Sequence, residues 1–249
     1  MTFNIQEAAS LLIESRRARK LARVLSPGPR DADAAYLVQD AVAHHLGPVG
    51  GWKVGAKSPD ATPNAAPLLA SAMKAGPTEW PSSDLNIYCV EPEIAFRIGR
   101  DIAPRSEPLS ESEVYAAVAS IHAAIEIVDT RLLDWETADP LWKLADNQSN
   151  GGFVYDPAGI AWDGEGLADA HVRLTINGVV KADQRGGNPA GDPRWLLLWL
   201  VDHCVRSRGG IRAGSLVTTG SYAGMVFVEP GAAVTADFIG IGSTSLRFT

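Results

Sequence analysis

Ile87-Tyr88-Cys89-Val90-Glu91-Pro92-Glu93-Ile94-Ala95-Phe96-Arg97-Ile98 reads as a β-strand, and it places two carboxylates inside an apolar run. Residues two apart on a strand project from the same face, so Glu91 and Glu93 converge. Tyr88, Val90, Ile94, Phe96 and Ile98 share the opposite face. Taken alone, this pattern describes an amphipathic strand whose polar face meets water. Pro92 lacks an N–H and points to a sheet edge or a bulge, where sheets often present sites. A third carboxylate, Glu126, lies in Ala123-Ala124-Ile125-Glu126-Ile127-Val128 among β-branched residues. A buried ion pair, for instance with Arg131, would account for it, but three carboxylates in apolar settings together favour a hard divalent cation.

Outward from this strand, Ile5 to Val24 and Asp33 to Leu46 carry helical periodicity, with a Ser-Pro-Gly-Pro break at 26–29. Between Gly50 and Ser83 the chain is rich in Gly, Pro, Ala and Ser, with five prolines from Pro59 to Pro81, which predicts a long irregular or partly helical excursion over a site. Ser110-Glu-Ser-Glu113 is a capping box opening a helix with Val114, Ala117, Val118 and Ile121 on one face, running toward a strand that bears Glu126. Asn177-Gly178 predicts a hairpin between Val172–Ile176 and Val179–Ala182. Asp192-Pro193 opens a helix over Trp195–Val205 that Gly209-Gly210 ends. Short strands follow at Leu216–Thr219, Met225–Val228, Ala233–Phe238 and Thr244–Phe248.

The 249 residues, 46% apolar and 20% charged, suffice for a sizeable core. A net charge of −7 with scattered basic residues argues against nucleic-acid binding. The one basic cluster, Arg16, Arg17, Arg19, Lys20 and Arg23, reads as a solvated helix face. Cys89 and Cys204 sit in apolar runs and suit reduced core thiols. No signal peptide or membrane-length apolar run is present, so a cytoplasmic location and no membrane association are expected. The five histidines have no metal-ligand spacing, and His122, at the end of the expected helix, reads as structural.

Two further constellations bear on chemistry. Gly50-Gly51-Trp52-Lys53-Val54-Gly55 brackets a lysine with glycines that permit close approach of a ligand, although a surface turn has the same pattern. An ammonium there would balance three carboxylates against a divalent ion. Thr218-Thr219-Gly220-Ser221 offers hydroxyl and backbone donors at a strand end, or an ordinary turn.

Taken in order, Gly51-Trp-Lys53-Val-Gly55, Glu91-Pro-Glu93-Ile-Ala-Phe, Ala124-Ile-Glu126-Ile-Val-Asp129-Thr-Arg131, Ala145-Asp146-Asn147-Gln-Ser-Asn150-Gly151, Asn177-Gly178 and Thr219-Gly220 resemble the 2-keto-4-pentenoate hydratase branch of the fumarylacetoacetate hydrolase superfamily, from about Asp33 to the C-terminus. The resemblance implies an α+β fold, a mixed β-sheet rolled into a barrel-like core with an N-terminal helical part. It divides the chain into an N-terminal helical and loop region with the Lys53 motif, 1–83, and a β-rich catalytic domain, 84–249. It implies Mg²⁺ or Mn²⁺ on Glu91, Glu93 and Glu126, a catalytic role for Lys53, and substrate contacts from Thr219, Gly220, Asn147 and Ser149. The implied activity is metal-dependent hydration of a 2-hydroxy-2,4-dienoate to a 4-hydroxy-2-oxo acid in aromatic-compound catabolism. Alternatives are a 2-oxo-3-enedioate decarboxylase, a C–C hydrolase, or a silent metal-binding partner subunit. The segment Ala56–Pro81 departs from the family pattern, which bears on the substrate tail. Homo-oligomers, and association with a related pathway enzyme, are also implied.

Overall fold

The computed structural model describes residues 2–249. The order is α1 (Ile5–Ala18), α2 (Ala32–Leu46), β1 (Val49–Gly55), β2 (Asn64–Leu69), β3 (Met73–Ala75), β4 (Thr78–Trp80), β5 (Cys89–Ile98), α3 (Glu111–Tyr115), β6 (Val118–Val128), α4 (Pro140–Ala145), β7 (Asn150–Tyr155), β8 (His171–Ile176), β9 (Val179–Arg185), α5 (Arg194–Ser207), β10 (Leu216–Ser221), β11 (Val226–Phe227), β12 (Ala233–Phe238) and β13 (Gly242–Phe248). Two mixed sheets result. The larger runs β2-β1-β10-β5-β6-β7-β3 with β11 beside β5, and the smaller runs β4-β13-β12-β8-β9. The fold is therefore α+β, with its longer paired helices near the N-terminus.

Neither hydrogen-bonded path closes on itself, yet the larger sheet is curled. Its two end strands, β2 and β3, are joined by the single 3-10 turn Ala70–Ala72. Six inter-strand steps laid flat would part them by roughly 29 Å, whereas the four peptide units from Leu69 to Met73 reach about 14 Å at most. The position of a Cβ on Gly50 of β1 would lie 2.7 Å from Met73 Sδ of β3, which shows how far the margins have come round.

Pairing assigns the inner face of the curl. Lys53 opposes Thr218, Thr218 opposes Ala95, Glu93 opposes Ala124, and Glu91 opposes Glu126, which opposes Phe153. Leu68, Ala95, Ala124, Phe153 and Leu216 pack together inside. At Gly51 a Cβ would stand 2.3 Å from Leu216 O, so only glycine fits there. The outer face is also covered. Ile94, Phe96, Ile121 and Val217 pack on Leu196, Leu197, Leu200 and Val201 of α5, while Val90, Ile125, Ile127 and Val154 pack on Val234, Ala236 and Leu246 of the smaller sheet. α1, α2 and α4 form a separate helical cluster around Leu12, Val38, Leu132 and Trp142.

Several expectations are corrected. The stretch from 50 to 83 is mostly strand, because its prolines bracket the strands or, at Pro67, lie on end strand β2. The helix after Ser110 has its capping box but stops at Tyr115. Val118 onward is strand, so His122 lies on β6, where its ring bonds Asp156 O at 2.7 Å and Ser120 Oγ at 2.8 Å. The spacing of Val114, Ala117, Val118 and Ile121 mimicked a helix; burial of a central strand on both faces removes the alternation that would have exposed the error. β5 is likewise central, and its carboxylate face is enclosed, not wet. Pro92 sits where neighbours change: Ser221 pairs with Glu93 and Val226 with Val90, so its missing N–H faces the break between β10 and β11. The Asn177-Gly178 hairpin forms as read, with φ of 51° and 79°. Cys89 and Cys204 are buried free thiols. Among the described residues, no helix is long and apolar enough to cross a membrane.

Candidate metal centre

Opposition of Glu91 and Glu126 across β5 and β6, with Glu93 two residues along, brings one carboxylate oxygen from each within 4.8 Å of the others. Glu93 is 2% exposed and Glu126 fully buried. Burial, reinforced by Glu126, pushes the Glu91 carboxyl up to about 7. Burial followed by Glu126 and Glu91 raises Glu93 well above the ordinary carboxylate range. Glu126 Oε1 accepts from Lys53 Nζ at 2.5 Å and Asn150 Nδ2 at 2.9 Å, whereas Glu126 Oε2 is buried with no partner. Glu93 Oε2 accepts from the Thr218 hydroxyl. Three carboxylates and one ammonium leave two uncompensated negative charges, so an oxygen-seeking divalent cation fits this donor set in number, hardness and charge.

Lys53 reaches the centre because β1 runs beside β10 with Lys53 facing inward. Burial pulls its pKa down most strongly, but Glu126, Glu91 and Glu93 together outweigh it and the net shift is upward. Lys53 is thus held as an ammonium ion, suited to stabilising negative charge and not to acting as a free base.

Beside these groups is a cavity of about 390 Å³ whose wall includes Lys53, Glu91, Glu93, Gln148, Asn188 and Gly220. Gly220, at φ 90°, presents backbone alone to this space. Thr219, expected at the substrate, is fully buried outside the wall with an unpartnered hydroxyl; Thr218, one residue earlier, is the threonine that faces the carboxylates. Asn147 and Ser149 are also outside the wall. Asn147 Nδ2 donates to Pro67 O at 2.8 Å, and Ser149 Oγ accepts from Trp135 Nε1 at 2.8 Å.

These two anchors flank Gln148 in a left-handed turn, with φ of 57°, 50° and 58° at Asn147, Gln148 and Ser149. Each such residue costs roughly 1–2 kcal/mol without glycine, so the surroundings must enforce the turn. Arg131 supplies much of that constraint. Its Nε donates to Asp146 Oδ1 at 2.5 Å, its two amino groups to Asp146 O at 2.7 Å and Asn150 O at 2.9 Å, and it is 1% exposed. Asp146 Oδ2 also accepts from Arg131 N at 3.0 Å. Arg131 therefore pairs with Asp146, and Lys53 is the partner of Glu126. Arg16 departs from the solvated face expected of it: it donates to Asn150 O at 3.3 Å, and burial, with Arg131 nearby, lowers its pKa to about 9.

The model of the fumarylacetoacetate (FAA) hydrolase C-terminal family matches residues 35–249. The chain belongs to that family. The 2-keto-4-pentenoate hydratase of Paraburkholderia phymatum is 30% identical over 258 residues, covering 98% of this chain and 97% of that protein. A 2-keto-4-pentenoate hydratase of Burkholderia vietnamiensis is 30% identical over 257 residues, covering 97% of each. Among solved structures, 4-oxalocrotonate decarboxylase from Pseudomonas putida G7, complexed with magnesium and adipate, superposes with a TM-score of 0.84 at 23% identity, over 100% of this chain and 99% of that one. At that identity the superposition speaks for the fold of the FAA hydrolase family.

In this member of the family, Lys53, Glu91, Glu93, Glu126 and Gly220 come together. Sequence reasoning chose Thr219 over Thr218, and missed Gln148, Asn150 and Asn188 as neighbours of the site. Strand alternation allows one of Thr218 and Thr219 to face inward, and the register against Lys53, invisible in sequence, selects Thr218. Asn150 and Gln148 had a signal, the polar run Asp146–Asn150 in a family motif, but not the turn that aims them.

Proposed function

We propose that this chain is a divalent-metal-dependent hydro-lyase that adds water to a 2-hydroxy-2,4-dienoate to give a 4-hydroxy-2-oxo acid, in aromatic-compound catabolism in the cytoplasm. The observation that carries the reading is a three-glutamate cluster with a buried ammonium at the edge of a small cavity. Full-length similarity to 2-keto-4-pentenoate hydratases supports the choice of reaction.

Glu91, Glu93 and Glu126 would hold Mg²⁺ or Mn²⁺. A bound ion supplies a Lewis acid toward the carboxylate and C2 oxygen of the substrate. Thr218 orients Glu93, and Asn150 with Lys53 orients Glu126. Lys53 places positive charge beside the C2 oxygen as it becomes enolate-like, and Gly220 leaves room for the substrate to lie against backbone. Proton delivery to C5 of the dienol gives a 2-oxo-3-enoate; water then contributes hydroxyl at C4 and hydrogen at C3, so the product is the substrate plus one water. Decarboxylation of a 2-oxo-3-enedioate would bring a second carboxylate against a wall in which Lys53, already bonded to Glu126, is the one cation among the described residues. Among the described residues, no histidine lines that wall to serve as a hydrolytic base.

Chelator-stripped protein given 2-hydroxypenta-2,4-dienoate should consume the dienol only when Mg²⁺ or Mn²⁺ is restored, with a product heavier by one water. Carbon dioxide release from a 2-oxo-3-enedioate, with no turnover of the dienoate, would overturn the assignment. Lys53→Met should lower kcat about 10²–10³-fold, the range for loss of one preorganised donor, while metal affinity measured by calorimetry holds or tightens. Weakened metal binding with unchanged kcat would contradict the role given to Lys53.

A further inference from the structure

Within the left-handed turn the middle side chain anchors nothing. Asn147 and Ser149 are tied to Pro67 and Trp135. Gln148 accepts from Lys53 Nζ through its backbone carbonyl at 3.2 Å, but its side chain has no hydrogen bond, and its Nε2 is buried without a partner although the residue lines the cavity. An unpaired buried amide is a cost that native structures rarely carry without reason. The other side-chain donors among the described residues of the wall are committed. Asn188 donates to Thr219 O at 2.8 Å and accepts from Ala190 N at 3.0 Å, Ser221 Oγ donates to Gly224 O at 3.2 Å, and Lys53 is bonded to Glu126. Among the described residues of the wall, Gln148 is the one with a neutral side-chain amide that has no hydrogen bond.

We infer that Gln148 is a substrate-positioning residue whose side-chain amide hydrogen-bonds an uncharged oxygen at C4, the oxygen that hydration places there. This rests on the hydratase reading and narrows it to monocarboxylates with a short, uncharged tail. An amide satisfies a hydroxyl or carbonyl but brings no charge to balance a second carboxylate. Three glutamates, a lysine and a divalent ion already sum to zero. A site built to hydrogen-bond a hydroxyl discriminates against the analogue that lacks it, because the analogue leaves the donor unpaired.

The test is calorimetric binding of 4-hydroxy-2-oxopentanoate and of 2-oxopentanoate, with Mg²⁺ present, to the wild-type protein, Gln148→Met and Gln148→Gly. The wild type should bind the hydroxylated acid about tenfold more tightly, the value of one well-placed hydrogen bond. Gln148→Met should bind both acids equally, near the wild-type affinity for 2-oxopentanoate. Gln148→Gly should lose the same discrimination yet melt at a higher temperature, since glycine occupies left-handed backbone without strain. Discrimination retained in Gln148→Met, or both acids weakened alike, overturns the inference. Failure of the wild type to bind either acid on addition of Mg²⁺ overturns the hydratase reading itself and this inference with it.

Discussion

Glu93→Gln should abolish metal-dependent turnover while leaving a folded protein that, in chelator, melts above the wild type at neutral pH. The two effects have one cause. The glutamine amide retains the shape and can still meet the Thr218 hydroxyl, but removes one charge from a buried cluster that lacks two positive charges when no cation is bound. The pH dependence has a definite sign. Glu91 and Glu93 titrate higher in the folded chain than in the unfolded one, so below about 4.5, the ordinary value for a glutamate, their contribution to stability is fully present. It is lost as pH rises from there through about 7 for Glu91 and through the raised range of Glu93. Chelated wild type should therefore lose thermal stability across that window, Mg²⁺ should restore it, and Glu93→Gln should flatten the loss. Melting scans from pH 5 to 8 with chelator or Mg²⁺ would read all three; a melting temperature of wild type indifferent to Mg²⁺ throughout would count against the centre.

Arg131→Met should be strongly destabilising. It leaves Asp146 buried without its partner, and breaking a buried ion pair from one side costs about 3–5 kcal/mol. For a chain of this size the melting temperature should fall by roughly 10 °C. Asp146 is already raised by burial despite Arg131, so loss of the guanidinium should raise it further. Adding Asp146→Leu to Arg131→Met should recover part of the stability, because two apolar groups need no compensation. Activity should not return with it, since Asn150 and the left-handed turn lose their tether. A double variant as active as the wild type would show that the clamp contributes nothing to the site.

Much of this was legible in the chain. Glu91 and Glu93 were readable because strand geometry forces i and i+2 together, and Glu126 because a carboxylate among Ile125, Ile127 and Val128 demands compensation. Asn177-Gly178 and the Ser110 capping box carry their own turn and cap chemistry. What could not be read depends on distant pairing. Strands buried on both faces, such as β6, lose alternation and pass for helix, and strands separated by prolines, as from 50 to 83, pass for loop. An ion pair with Arg131 was an open alternative for Glu126; the direction of each side chain, which sequence does not give, pairs Arg131 with Asp146 and Lys53 with Glu126. Nothing local distinguishes Asn147-Gln148-Ser149 as left-handed, since no glycine marks it.

The strand pairings that build the site differ widely in how far along the chain they reach. β5 and β6 are successive in the chain and can pair early, which brings Glu91 and Glu126 face to face while their counter-ion is still far away. Lys53 arrives only when β1 lies beside β10, a pairing of residues near 51–53 with 216–218 that bears a long loop-closure penalty. Charge compensation within the curl is therefore the least local feature of the site: its carboxylates meet through neighbouring strands, and its ammonium is delivered only by a pairing that spans most of the chain.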